Sequence, residues 1–213
     1  MRIAVRSALF VVALVAGCIT NPVTSLELSW VTPQLPQPPF KKLLIITVAS
    51  DEFVQIAFQD QMAAQLKERG VNAVASRRYF TRYTDAERAR FRQSIADSDA
   101  DSVLLARVTF TDAGTQHGAD SVIGTNGLPY GDAIGVDGAF ARYYYPGAAS
   151  AAGGGYAVKA VTAEASIFTA KGDKLIWSAR TRTTNAQNVK SGADAATEYI
   201  AVILEAMKKD KLL

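Results

Sequence analysis

The rhythm of apolar and polar positions changes several times along the 213 residues. Ala8 to Ala16 form a short apolar run behind Arg2 and Arg6. Leu26-Glu27-Leu28-Ser29-Trp30-Val31 alternates and predicts a short edge strand. Lys42 to Val48 is nearly all aliphatic, the pattern of a strand buried on both faces. Ser50 is then placed to cap a helix, with Asp51 and Glu52 in its first turn, where the helix dipole favours anions. Val54, Phe58, Met62 and Leu66 recur every four residues as its buried stripe, and Gly70 ends it. Val71 to Ala75 predicts a second short strand. Thr84-Asp85-Ala86-Glu87 is a capping box opening a helix that turns Phe91 and Ile95 inward. Arg88, Arg90 and Arg92 are expected to face water.

Asp101 to Phe110 predicts a third strand, so the order βαβαβ implies a parallel portion of sheet. The pattern then breaks: Asp112 to Gly155 is rich in Gly, Ala and Tyr and has no sustained period. Tyr156–Ala170 and Lys174–Asn185 predict two long strands joined by Lys171-Gly172-Asp173. In the second of these, Leu175, Trp177 and Ala179 fall on one face and Ser178, Arg180 and Arg182 on the other. A final helix from about Gly192 to Lys209 would bury Ala196, Tyr199, Ile200, Ile203 and Met207, with Lys208 and Lys209 suiting its carboxyl end. The expected fold is α/β (α+β), a single-domain two-layer sandwich with a mixed sheet. Its order is βαβαβ–ββα, with helices mainly on one face and a long Gly/Tyr-rich loop before the last hairpin.

The amino terminus changes this picture. Ala8–Ala16 is far shorter than the roughly 20 residues a spanning helix needs. A basic start, a short apolar core and small residues ahead of a cysteine describe a secretory signal. Val15-Ala16-Gly17-Cys18 resembles the lipobox of bacterial lipoproteins. The resemblance implies cleavage before Cys18 and attachment of acyl chains, such as palmitate, to its thiol. The same resemblance implies that Ile19, in place of aspartate, favours the outer membrane over inner-membrane retention, so the expected address is its periplasmic face. The expected organisation is a cleaved signal peptide at 1–17, a lipidated cysteine and Pro-rich tether at 18–40, and an α/β domain at 41–213. That domain would carry a flexible insertion at about 112–155.

Charge and cysteine count follow from that division. Loss of Arg2 and Arg6 leaves 21 basic against 20 acidic residues, a net +1, so nucleic acid is not an expected partner. The single cysteine is taken by lipid, which leaves no disulfide. Five of the seven prolines fall between Pro22 and Pro39, which makes that stretch an extended spacer.

Catalytic chemistry finds little footing. His117 is the only histidine and sits in the Gly-rich segment without a second ligand nearby, so no metal is expected. Asp112, Asp120, Asp132 and Asp137 do not fit the calcium-loop spacing. The chain has no G-x-S-x-G elbow, S-x-x-K or phosphate-binding fingerprint, so no catalytic residue and no cofactor is assigned. Two stretches stand out as partner-binding candidates. Arg77, Arg78, Tyr79, Arg82 and Tyr83 interleave guanidinium and aromatic groups, read either as a contact surface or as a solvated loop with Arg stems packed on rings. Tyr143, Tyr144 and Tyr145 form a tyrosine cluster in a long loop that is either functional or disordered.

Phe40 to Ile46, Phe58-Gln59-Asp60, Leu66 to Ser76, Trp30 and the Trp177–Asn185 strand resemble a group of bacterial lipoproteins whose activity is not established. The layout is similar, more distantly, to small α/β domains of envelope proteins: the amino-terminal domain of the Tol-system propeller protein, the curli-secretion lipoprotein, and lipoproteins that activate peptidoglycan synthases. The resemblance implies a non-enzymatic, membrane-anchored module that binds an envelope protein or peptidoglycan. The alternatives are a glycan-active hydrolase using loop carboxylates and a subunit of a secretion assembly.

Overall fold

The computed structural model describes residues 22–49, 52–79, 85–111, 128–129, 135–139, 160–184 and 192–213, with backbone alone at 85–90, 109–111, 160 and 192–195. Cys18, Ser50, Arg82, Tyr83, Thr84, His117 and Tyr143 to Tyr145 lie outside those residues, as do Asp112, Asp120 and Asp132.

Among the described residues, six strands build one mixed sheet. They are β1 (Val23–Val31), β2 (Lys42–Ala49), β3 (Asn72–Ala75), β4 (Ser102–Thr111), β5 (Ala160–Thr169) and β6 (Leu175–Thr184), in the spatial order β1-β6-β5-β4-β2-β3. β3, β2 and β4 run parallel; β4, β5, β6 and β1 pair antiparallel. The helices are α1 (Glu52–Glu68), α2 (Asp85–Asp97) and α3 (Gly192–Lys209).

Connection order explains the layers. The chain steps from β2 outward to β3, then back across β2 to β4. Both crossovers joining parallel strands are expected to be right-handed, and a reversal of direction then puts their helices on opposite faces. α1 accordingly shares one face with α3, where Phe58, Met62, Leu66, Ile200, Ile203 and Met207 pack on Ile45, Leu104, Ile167 and Trp177. α2 covers the other face, where Phe91 and Ile95 meet Leu44, Ile46, Val103, Leu105 and Phe168. The α/β sandwich expected from the pattern is the observed one, and two of these three helices share a face.

Local chemistry ends the elements where the pattern places the stops. Gly70 has φ +83, and it and Val71 donate back to the Lys67 and Leu66 carbonyls, closing α1 with a left-handed cap. Lys211 takes the same role after α3 with φ 62; Lys211 and Leu212 donate to Lys208 and Met207.

Two segments carry more structure than their composition predicts. Residues 18–40 read as a tether, yet β1 occupies nine of them and pairs with β6 along its length, with a bulge at Glu27. The alternation at 26–31 is the signal of this strand, and its extension back to Val23 rests on pairing with Thr184. Residues 135–139, inside the segment expected to be flexible, are docked. Val136 and Ala139 are fully buried against the α2 side of the sheet.

Candidate functional site

The sheet has two ends of different character. At the upper end lie the carboxyl ends of β2, β3 and β4, together with the start of β1 and the end of β6, which meet at Val23 and Thr184. The β4–β5 insertion leaves and returns there, at Thr111 and Ala160. The chain departs in opposite directions after β2 and β4, and open α/β sheets form their binding crevices at such a reversal.

A single 3-10 turn, Ser76–Arg78, follows β3 at this end. The Arg77 backbone N–H donates to Gln59 Oε1 at 3.1 Å, and Arg77 Nε donates to Asp60 Oδ1 at 2.7 Å. That hydrogen bond and the Asp60 charge raise the Arg77 pKa. Arg77 is thus committed to α1, while Arg78 and Tyr79 extend into solvent beside it. Of the residues singled out from the sequence, the structure brings Arg77, Arg78 and Tyr79 together on this turn.

A second group was not singled out. Arg107 on β4, Glu164 on β5 and Arg180 on β6 are register partners in one row across the sheet. Glu164 and Arg180 are both buried, with Arg180 Nε 3.9 Å from Glu164 Oε2. The adjacent row pairs Ser166 Oγ with Ser178 Oγ at 2.7 Å. This polar half of the second face continues the apolar half under α2. Alternation along β6 does place Arg180 on a polar face. The row itself is invisible until the register of three strands is known.

A third group sits at the lower end. Arg92 donates to Asp137 Oδ2 and Asp173 Oδ2, both at 2.7 Å. Asp173 Oδ1 also accepts the Val136 N–H at 2.6 Å, capping the helical turn at 136–139. Partial burial works to lower the Arg92 pKa, but the hydrogen bonds and charges of the two carboxylates outweigh it and raise it. Arg92 is exposed, as its place on the helix surface predicts, and it also clasps two carboxylates. Among the described residues no group of three or more His, Cys, Asp or Glu side chains is arranged to hold a metal ion.

β1 provides the fourth feature. It lies at the edge of the sheet, and its outer side has no partner strand among the described residues. Beside it runs a shallow, mainly apolar groove lined by Leu26 and, from α3, Ala201, Val202, Glu205, Ala206 and Lys209. Thr24 ties the strand to its neighbours, meeting Thr183 Oγ1 at 2.6 Å and donating to Glu198 Oε2 at 3.0 Å.

Among the described residues these features define an α/β sandwich with an open sheet edge and charged groups set against opposite charges. No family model and no curated protein matches the sequence. Solved structures similar to it include the PelC dodecamer from Paraburkholderia phytofirmans, 13% identical, covering 86% of this chain and 95% of that one with a TM-score of 0.41. Lipoprotein GNA1162 from Neisseria meningitidis is 12% identical, covering 79% of this chain and 98% of that one with a TM-score of 0.39.

Proposed function

We propose that the chain is a bacterial envelope lipoprotein, anchored through lipid on Cys18 at the periplasmic face of the outer membrane. Its α/β domain binds another envelope protein without catalysing a reaction. The observation that carries the binding role is β1, an edge strand of nine residues beside an apolar groove. An open edge presents backbone donors and acceptors to an added strand, and a neighbouring groove gives side-chain selectivity. This favours a protein partner over peptidoglycan. The hydrolase alternative draws no support from Asp137 and Asp173, whose charges are shared with Arg92.

Two measurements test the proposal. Labelled palmitate should be incorporated into the wild-type chain and lost in Cys18→Ser; persistent label refutes the anchor. A photo-crosslinking residue at exposed Ser25 of β1 should give a discrete protein adduct in intact cells, absent from the same probe at Lys171. Absence of that adduct, with the chain sedimenting on purified peptidoglycan, transfers the role to peptidoglycan. Absence of both refutes the binding module.

A further inference from the structure

The position of β1 has a geometric consequence for how the domain sits. Val23 lies five residues after Cys18, and each extended residue spans at most about 3.5 Å, so the start of β1 is within about 17 Å of a lipid-bearing cysteine. The spacer imagined from the prolines is therefore short. A domain held this closely does not tumble freely above a bilayer, and one end must face it.

The surface distinguishes the two ends. Among the described residues, the exposed large apolar side chains are Val23 at 58%, Phe53 at 83%, Ile56 at 37%, Tyr79 at 36% and Leu128 at 56%. Val23 begins β1, Phe53 and Ile56 lie in the first turns of α1, and Tyr79 follows the turn after β3. All four are at the upper end; Leu128 belongs to the β4–β5 insertion. Phe53 and Ile56 are three residues apart and so share one side of α1. The loops of the lower end instead expose Lys41, Arg69, Asp99, Asp101, Lys171 and Lys174. Singly exposed apolar residues are ordinary. Their segregation to the end from which the anchor emerges sets that end apart from the other.

We infer that the upper end of the sheet lies on the bilayer, with Phe53, Ile56 and Tyr79 entering the boundary between headgroups and acyl chains. Aromatic side chains favour this level of a membrane, and Arg78 beside Tyr79 is placed to meet lipid phosphate. Val23 and Tyr79 stand at opposite edges of a six-stranded sheet, about 24 Å apart at roughly 4.8 Å per strand spacing. Two contacts at that separation, plus the acyl anchor, fix a tilt as well as a distance. The β1 edge then runs away from the membrane, open to a partner along its length. The inference rests on the proposed Cys18 anchor.

The test uses the full lipidated chain in vesicles of phosphatidylethanolamine and phosphatidylglycerol carrying a headgroup spin label. Phe53→Trp, Tyr79→Trp and Lys171→Trp are compared, each with native Trp30 and Trp177 retained. The fluorescence added by Phe53→Trp and by Tyr79→Trp should be largely quenched and blue-shifted, while that added by Lys171→Trp should be unchanged. If the chain floats with the vesicles but Lys171→Trp is quenched as strongly as Phe53→Trp, or neither is quenched, the orientation is wrong and the anchor stands. If the chain does not float, or Cys18→Ser floats equally well, the anchor fails and the orientation fails with it.

Discussion

Trp177 offers the sharpest test of how the domain is held together. It is fully buried on β6, and its Nε1–H donates to Asp210 Oδ2 at 2.8 Å, just past the end of α3. One contact thereby pins the carboxyl end of α3 to the sheet and shapes the groove along β1, which Lys209 and Ala206 help line. Trp177→Phe removes the hydrogen bond and part of the ring. A bond to a charged group is worth about 1.5–3 kcal/mol, and the half-exposed Asp210 places this one near the low end. Shrinking the ring adds roughly 1–2 kcal/mol for the void left in the core. The expected cost is about 2–4 kcal/mol, or roughly 5–15 °C in Tm for a domain of this size. Asp210→Asn keeps an acceptor and should cost only about 0.5–1 kcal/mol. Urea unfolding followed by far-ultraviolet circular dichroism avoids using the altered tryptophan as probe. A double-mutant cycle of Trp177→Phe with Asp210→Ala should show a coupling of about 1–1.5 kcal/mol. Additive effects within about 0.3 kcal/mol would refute the pinning role.

Burial raises the pKa of the Tyr199 phenol above its ordinary value near 10. Its folded pKa exceeds the unfolded one, so its stabilising contribution is complete below about pH 10 and is lost as pH rises through the folded value. The alkaline fall in stability should be shallower in Tyr199→Phe than in wild type, measured as unfolding free energy from pH 9 upward. Gly135→Ala would drive a Cβ into the Asp173 carboxylate and displace it from Arg92 and the Val136 N–H; faster amide exchange at 136–139 is expected. Asp137→Asn weakens only an exposed ion pair and should cost about 0.2–1 kcal/mol. Glu164→Leu leaves two guanidinium groups in a buried row and should cost about 3–5 kcal/mol, with Glu164→Leu/Arg180→Leu recovering part of that loss in the same denaturation assay.

Much of the fold was legible along the chain because the relevant signals are local. The aliphatic run of β2 and the four-residue spacing of Val54, Phe58, Met62 and Leu66 mark their elements to within a few residues, as does the Lys171-Gly172-Asp173 turn. The stripe of α3 does so too, since burial on one side imposes a fixed period. The candidate site was legible at Arg77, Arg78 and Tyr79, where composition itself is unusual, and in the alternation at 26–31 that marks β1. The exposure of Arg92 follows from its helix position, but its two partners do not, because Asp137 and Asp173 are brought to it from other segments. The docked turn at 136–139 was hidden for a related reason: four residues have no period, and Val136 and Ala139 are held in the cluster of Phe91, Ile95 and Phe168.

The sequence by itself determined the elements, their order and the proposed anchor point, because propensity, periodicity and a motif act over a few neighbouring residues. Only the tertiary structure decided that β1 pairs with β6 and in which register, since that depends on residues such as Thr24 and Thr183, 159 positions apart. It also decided that α2 crosses to the second face and that Arg107, Glu164 and Arg180 stand in one row. Register and crossover hand are properties of the closed chain. The same closure puts Val23, Phe53 and Tyr79 at one end of the sheet, although nothing in their separate surroundings along the sequence relates them.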